Sequence, residues 1–155
     1  MALRTFSFDE LQVGMRETLL RTVMETTVNQ FAEVSGDVNP IHLSDDYAAT
    51  TRFGQRIAHG MFTASLISAV IGTRLPGPGA VYLSQTLRFL APVRIGEVVA
   101  AVVEVAEMVE KGRRVRLECH CLVDGKPVLE GEAWVMVPGA RRAETPGTAA
   151  TAAAY

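Results

Sequence analysis

The sequence predicts an α+β domain in which one long central helix is wrapped by a curved antiparallel sheet. Three observations lead there. Residues 59 to 74 are apolar nearly all round, so this stretch reads as a helix buried on more than one side. Four strand-like segments follow it with no further helix between them, and Gly- and Asp-containing turns join them as hairpins. Helices gathered ahead of a run of strands make an α+β domain rather than an alternating α/β one. At 155 residues the chain has the size of one domain and can bury about two-thirds of its unfolded surface.

The elements follow in order. Arg16–Val23 reads as a first strand. Thr27-x-x-Gln30 has the pattern of a capping box, and Val28, Phe31, Ala32 and Val34 recur near helical spacing. Gly36 stands where a C′ glycine would end that helix. A loop, Asp37–His42, comes next, and Ser44 then caps a short helix over Asp45–Thr50. Asp45 and Asp46 fall in its first turn, where they complement the helix dipole.

The main helix runs from His59 to about Arg74 and carries Met61, Phe62, Ala64, Leu66, Ile67, Ala69, Val70 and Ile71. Leu75-Pro-Gly-Pro-Gly79 stops it. The expected strands are Val81–Leu90, Glu97–Val109, Arg113–Val123 and Val128–Val137. In the third of these Val115, Leu117, Cys119, Cys121 and Val123 face one way, and Arg114, Arg116, Glu118 and His120 the other. Asp124-Gly125 is a tight-turn signal that joins it to the last strand. The domain is expected to span residues 1–138. The Gly/Ala/Thr/Pro segment 139–155 has nothing to bury and is expected to be a disordered tail.

Composition narrows the classes of function. The net charge is −2 and no basic run exceeds an Arg pair, which argues against a nucleic-acid partner. Cys119 and Cys121 sit one residue apart on a strand. That spacing suits neither a redox pair nor a zinc site, so both read as core residues in a reducing compartment. The longest apolar run is shorter than the ~18 residues that span a membrane. The N-terminal residues lack a basic-then-apolar leader pattern. The expected location is cytoplasmic, with no membrane partner.

Between the first two helices lies the chemistry. An acid (Asp37), an amide (Asn39) and an imidazole (His42) share one short segment, which Pro40 stiffens. Held in one orientation, such a set suits proton transfer. Each member alone has a plainer explanation: Asp37 as an N-cap or Asx-turn residue, His42 as a structural histidine.

The stretch Phe31-Ala-Glu-Val-Ser-Gly-Asp-Val-Asn-Pro-Ile-His42, with Ala48 six residues on, resembles the signature of the MaoC-like hydratases, the (R)-specific 2-enoyl-CoA hydratases. Ala58-His-Gly-Met61 is similar to a second block of that family, and the resemblance continues through Gln85–Pro92 and Gly96. It covers roughly residues 8–137, with no motif position departing from the pattern. The resemblance implies a hot-dog fold, usually as a homodimer, and hydration of trans-2-enoyl-CoA to (R)-3-hydroxyacyl-CoA. It matches Asp37 and His42 to the catalytic pair, Asn39 to a supporting polar residue, and Gly60 to the backbone donor for the thioester oxygen. It implies no organic cofactor.

The remaining candidates divide as follows. His59 opens the main helix and either touches substrate or hydrogen-bonds the loop to orient it, and the second is favoured. Asp37, His42 and His59 have metal-ligand side chains, but no third His joins them and no HxH or HxxxH spacing occurs, so no metal is expected. Phe62, Leu66 and Val70 are core first and acyl-pocket lining second. His120 reads as solvated. Arg56, Arg88 and Arg94 receive no assignment to the phosphates of coenzyme A. Two other functions share the fold: an acyl-CoA thioesterase, and an acyl-binding subunit without turnover. A base aimed at C3 favours hydration over both.

Overall fold

A computed structural model of the chain describes residues 3–140. After a single 3-10 turn at Phe8–Glu10, the elements are β1 (Arg16–Thr22), α1 (Glu25–Ser35), α2 (Pro40–Leu43), α3 (Asp45–Ala49), α4 (Gly60–Thr73), β2 (Val81–Gln85), β3 (Arg88–Phe89), β4 (Val98–Val109), β5 (Arg114–Val123) and β6 (Lys126–Met136). All six strands form one antiparallel sheet in the order β1-β4-β5-β6-β2, with β3 also on β6. The curved sheet wraps α4, which is the hot-dog arrangement. Most of the expected tail, residues 141–155, lies outside the described residues.

Alternation sets the sheet's two faces. On β5 the residues Val115, Leu117, Cys119 and Cys121 are fully buried, and Val123 nearly so. They meet Val99, Val103 and Val105 of β4 and Ala133 and Val135 of β6 in a core filled from the other side by Phe62, Leu66, Ile67, Val70 and Ile71 of α4. Burying each such side chain contributes about 1.5–3 kcal/mol. The β5–β6 turn has the expected form. Asp124 and Gly125 take φ of 49° and 75°, the two positive values that a two-residue hairpin turn needs.

Three expectations change. The capping-box pattern at Thr27 does not start a helix, because α1 begins at Glu25 with Met24 as its N-cap. The end of α1 is as expected, with Gly36 in the left-handed region at φ 76°. The segment Asp37–His42 is not all loop: Asn39 caps a helical turn from Pro40 to Leu43, with Pro at the position where its missing N–H costs nothing. Finally, Val81–Leu90 is not one strand. It breaks into β2 and β3, with a register shift between Tyr82 and Ser84.

The physical reason for the break is close backbone approach. A Cβ on Gly131 of β6 would lie 1.9 Å from the Thr86 carbonyl oxygen, so the segment between β2 and β3 presses against β6 where no side chain intervenes. That crimp carries Phe89 and Leu90 over the start of α4.

Candidate functional site

The site forms where α2 and the N-terminus of α4 meet the segment after β3. A cavity of about 480 Å³ opens there, within the range of small-molecule sites. Asp37, His42, His59 and Gly60 lie on its wall. The structure thus brings together residues that the sequence separates by 23 positions.

Asp37 is fixed by its neighbours. Its N–H donates to Ser35 Oγ at 3.2 Å, and its own Oδ1 accepts from the Asn39 N–H at 3.2 Å. Oδ2 faces His42 Nε2 at 4.0 Å. The Asx-turn reading therefore holds for Oδ1, and Oδ2 is left facing the imidazole. Asn39 accepts from the Ile41 N–H through Oδ1, so its side-chain oxygen caps α2, and Asn39 is not on the cavity wall.

His42 is buried, and Nδ1 lies 2.8 Å from the Ile57 carbonyl oxygen. A carbonyl can only accept, so Nδ1 carries the proton and the neutral ring keeps its lone pair on Nε2. Burial lowers the pKa of His42 below the ordinary histidine value, and the neighbouring His59 lowers it further. The Ile57 hydrogen bond and the Asp37 charge pull the other way. The net direction keeps His42 neutral at pH 7, as an acceptor facing a carboxylate.

His59 is almost fully buried, and its Nε2 donates to the Asp37 main-chain oxygen at 2.9 Å. Its ring stacks on His42 with centroids 3.8 Å apart and leans on Phe31 at 5.0 Å. This is the loop-orienting arrangement expected of it. Asp37, His42 and His59 also bring potential metal ligands within 4.8 Å of one another. The two rings stack nearly face to face, at 29°, so their in-plane lone pairs run side by side rather than converging on one ion.

Gly60 is the first residue of α4, so its N–H has no intrahelical acceptor and lies at the positive end of a 14-residue helix dipole. Phe89 packs over it: a Cβ on Gly60 would meet the ring at 2.7 Å. Phe62, Leu66 and Val70 are core residues and do not line the cavity. Its apolar wall comes from Phe53, Met61, Phe89, Leu90 and Val128 instead. Sequence reasoning missed Phe89 and the Ile57 carbonyl. Phe89 lies inside the Gln85–Pro92 block, which was the available signal, whereas a main-chain acceptor leaves no mark in a sequence. Arg52 joins the rim, stacked on Phe53 at 4.8 Å.

Comparison with known proteins gives a consistent set. The MaoC-like domain family matches residues 10–124. A 3-hydroxybutyryl-CoA dehydratase of Methylorubrum extorquens is 57% identical over 142 residues, covering 92% of this chain and 90% of that protein. An (R)-specific enoyl-CoA hydratase of Rhodospirillum rubrum is 51% identical, over 84% and 91% of the two chains. Among solved structures, an R-hydratase from Pseudomonas aeruginosa in the unliganded form superposes with a TM-score of 0.85 at 43% identity, covering 96% of this chain and 99% of its own.

Proposed function

Because the chain belongs to the MaoC-like domain family, we propose that it catalyses the (R)-specific, reversible addition of water across the C2=C3 bond of a trans-2-enoyl-CoA. The product is the (R)-3-hydroxyacyl-CoA. One observation carries the mechanism: two acceptors, Asp37 Oδ2 and His42 Nε2, lie 4.0 Å apart on the cavity wall. That is too long for a direct hydrogen bond. A water that donates one bond of ~2.8 Å to each spans roughly 4.5 Å when unstrained, so the gap suits one shared water.

The chemistry follows from that placement. As the water oxygen bonds to C3, the pair takes its proton, and the C2=C3 electrons move toward the thioester oxygen. The Gly60 N–H at the head of α4 stabilises the charge gathering there. The proton held by the pair then passes to C2 on the same face, so both parts of one water are added. Asn39 contributes by capping α2 and holding His42 in place. The acyl chain lies along Met61, Phe89 and Leu90, with Phe62, Leu66 and Val70 as the core behind that wall. No organic cofactor or metal takes part.

The test is loss of the enoyl-thioester absorbance with crotonyl-CoA and longer homologues, followed by chiral analysis of the product. A purely (S) product, or release of CoA from saturated acyl-CoA without hydration, overturns the reading; the second result would make the protein a thioesterase.

The working unit is a homodimer. Val81, Tyr82 and Leu83 of the edge strand β2 are exposed, as are Met61, Phe89 and Leu90 beside it. An open apolar edge is a liability that pairing with a second copy removes. Light scattering is expected to give twice the 16.7 kDa chain mass or a multiple of it, and a monomer at micromolar concentration refutes the dimer. Among the described residues no helix is long and apolar enough to cross a membrane. The two free, buried cysteines support a reducing, cytoplasmic location.

A further inference from the structure

Arg56 is the only Lys, Arg, Asp or Glu side chain that is buried among the described residues. Its Nε donates to Asp45 Oδ1 at 2.8 Å and its Nη2 to Glu25 Oε1 at 2.6 Å. Glu25 is the first residue of α1 and Asp45 the first of α3. The chain between them carries Asp37, Asn39 and His42. One guanidinium therefore ties together both ends of the segment that holds the acid and the base.

The next residue completes the arrangement. Ile57 follows Arg56 directly, and its carbonyl oxygen accepts the Nδ1–H hydrogen bond that fixes the His42 tautomer. The Ile57 N–H points back to the Ile41 carbonyl at 3.4 Å. Two consecutive residues thus hold the catalytic segment at its two bases and at its histidine. Stability alone is a weak reason to bury such a charge, since well-packed apolar residues often do as well. A planar fork that reaches two carboxylates at a fixed angle is a better reason, because it sets geometry.

We propose that Arg56 is a positioning residue, whose guanidinium holds the starts of α1 and α3 against the Arg56–Ile57 segment and thereby sets the gap between Asp37 and His42. The inference rests on the hydratase reading for its kinetic consequence but not for its structural one. Misplacing a reacting group by about 1 Å costs on the order of 10²-fold.

The experiment compares Arg56→Lys, Glu25→Gln and Asp45→Asn with wild type. Lysine keeps the charge but offers no fork to hold two carboxylates at once. Arg56→Lys is expected to lower kcat for crotonyl-CoA by about 10–100-fold while KM changes less than about threefold. Each carboxylate variant is expected to lose less, and adding either to Arg56→Lys should cost little more, because all three act through one network. Glu25 and Asp45 are themselves exposed. Their variants keep the test alive even where Arg56→Lys fails to fold.

A second readout needs no turnover. NMR titration of the His42 imidazole should move up toward the ordinary histidine value in Arg56→Lys, because a loosened ring meets water. The groups facing that ring, His59, the Asp37 carboxylate and the Ile57 carbonyl, are unchanged in the variant. Wild-type kcat with an unshifted His42 titration overturns the proposal. So does an activity loss that matches the unfolded fraction while His42 titrates as in wild type. A wild-type protein inert toward crotonyl-CoA would sink the hydratase reading instead, and the titration would still decide the clamp.

Discussion

Asp37→Asn and His42→Gln are each expected to lower kcat for crotonyl-CoA hydration by ~10²–10⁴, the range of a lost acid–base group, with the fold intact. Asparagine keeps the size of Asp37 and an oxygen for the Asn39 N–H, which Oδ1 now satisfies, but removes the charge facing His42. Glutamine at 42 retains a donor for the Ile57 carbonyl and deletes the lone pair at Nε2. Asp37 is half exposed and His42 makes a single hydrogen bond to the protein, so the stability cost should be near the ~1 kcal/mol of one such bond. Thermal unfolding measured beside the kinetics separates the two effects. The double variant should be little slower than either single one, because residues that act as a unit are not additive. Hydration at wild-type rate by either single variant would remove the pair from the mechanism.

Gly60→Ala is expected to cost turnover about 10–10²-fold while costing little stability. Gly60 is not among the glycines with positive φ, so an alanine suffers no backbone strain there. The obstacle is Phe89, whose ring atoms would lie 2.7 and 2.9 Å from the new Cβ. Phe89 is half exposed, so its ring is free to turn away. Phe89 already lines the cavity, so a turned ring is expected to crowd the Gly60 N–H proposed to meet the thioester. Measured against Phe89→Ala, which itself gives up part of the proposed acyl wall, Gly60→Ala combined with Phe89→Ala should therefore recover part of the lost rate. If the double variant recovers nothing, the added methyl itself blocks the thioester. If Gly60→Ala unfolds the chain, the glycine serves packing and the oxyanion assignment loses its support.

What the sequence revealed depended on how local each signal was. The buried helix, the alternation of β5 and the Asp124-Gly125 turn are encoded within a few residues of where they act, and all three stand in the structure. The break between β2 and β3 is not local. It arises where Thr86 crosses Gly131, 45 residues later, and neither position announces the other. The same division holds at the site. Asp37 and His42 lie five residues apart in a loaded segment, and His59 makes the hydrogen bond to that segment which its favoured reading expected. Of the two readings given to the apolar helix residues, core first and acyl wall second, burial bears out the first, and the cavity is lined by others. Phe62, Leu66 and Val70 point into the core, while Phe89 arrives from a two-residue strand that depends on the crimp. Arg56 looked like any other arginine until Glu25 and Asp45 were seen to converge on it.

The strand order has a consequence for how the protein is made. β1 pairs with β4 across 76 to 88 residues of chain, from Thr22–Val98 to Arg16–Glu104. The meander β4-β5-β6, by contrast, is built from neighbouring hairpins. Pairings that close long loops form slowly, and short-range ones form first. On a ribosome adding ~5–20 residues per second, the end of β6 follows His42 by roughly 5–20 s. From its own synthesis until β4 and β5 have followed it, α4 lacks the strands it packs against, and the apolar residues of its inner face are a target for chaperones. The segment that carries Asp37 and His42 is synthesised early and is enclosed only when the later strands arrive.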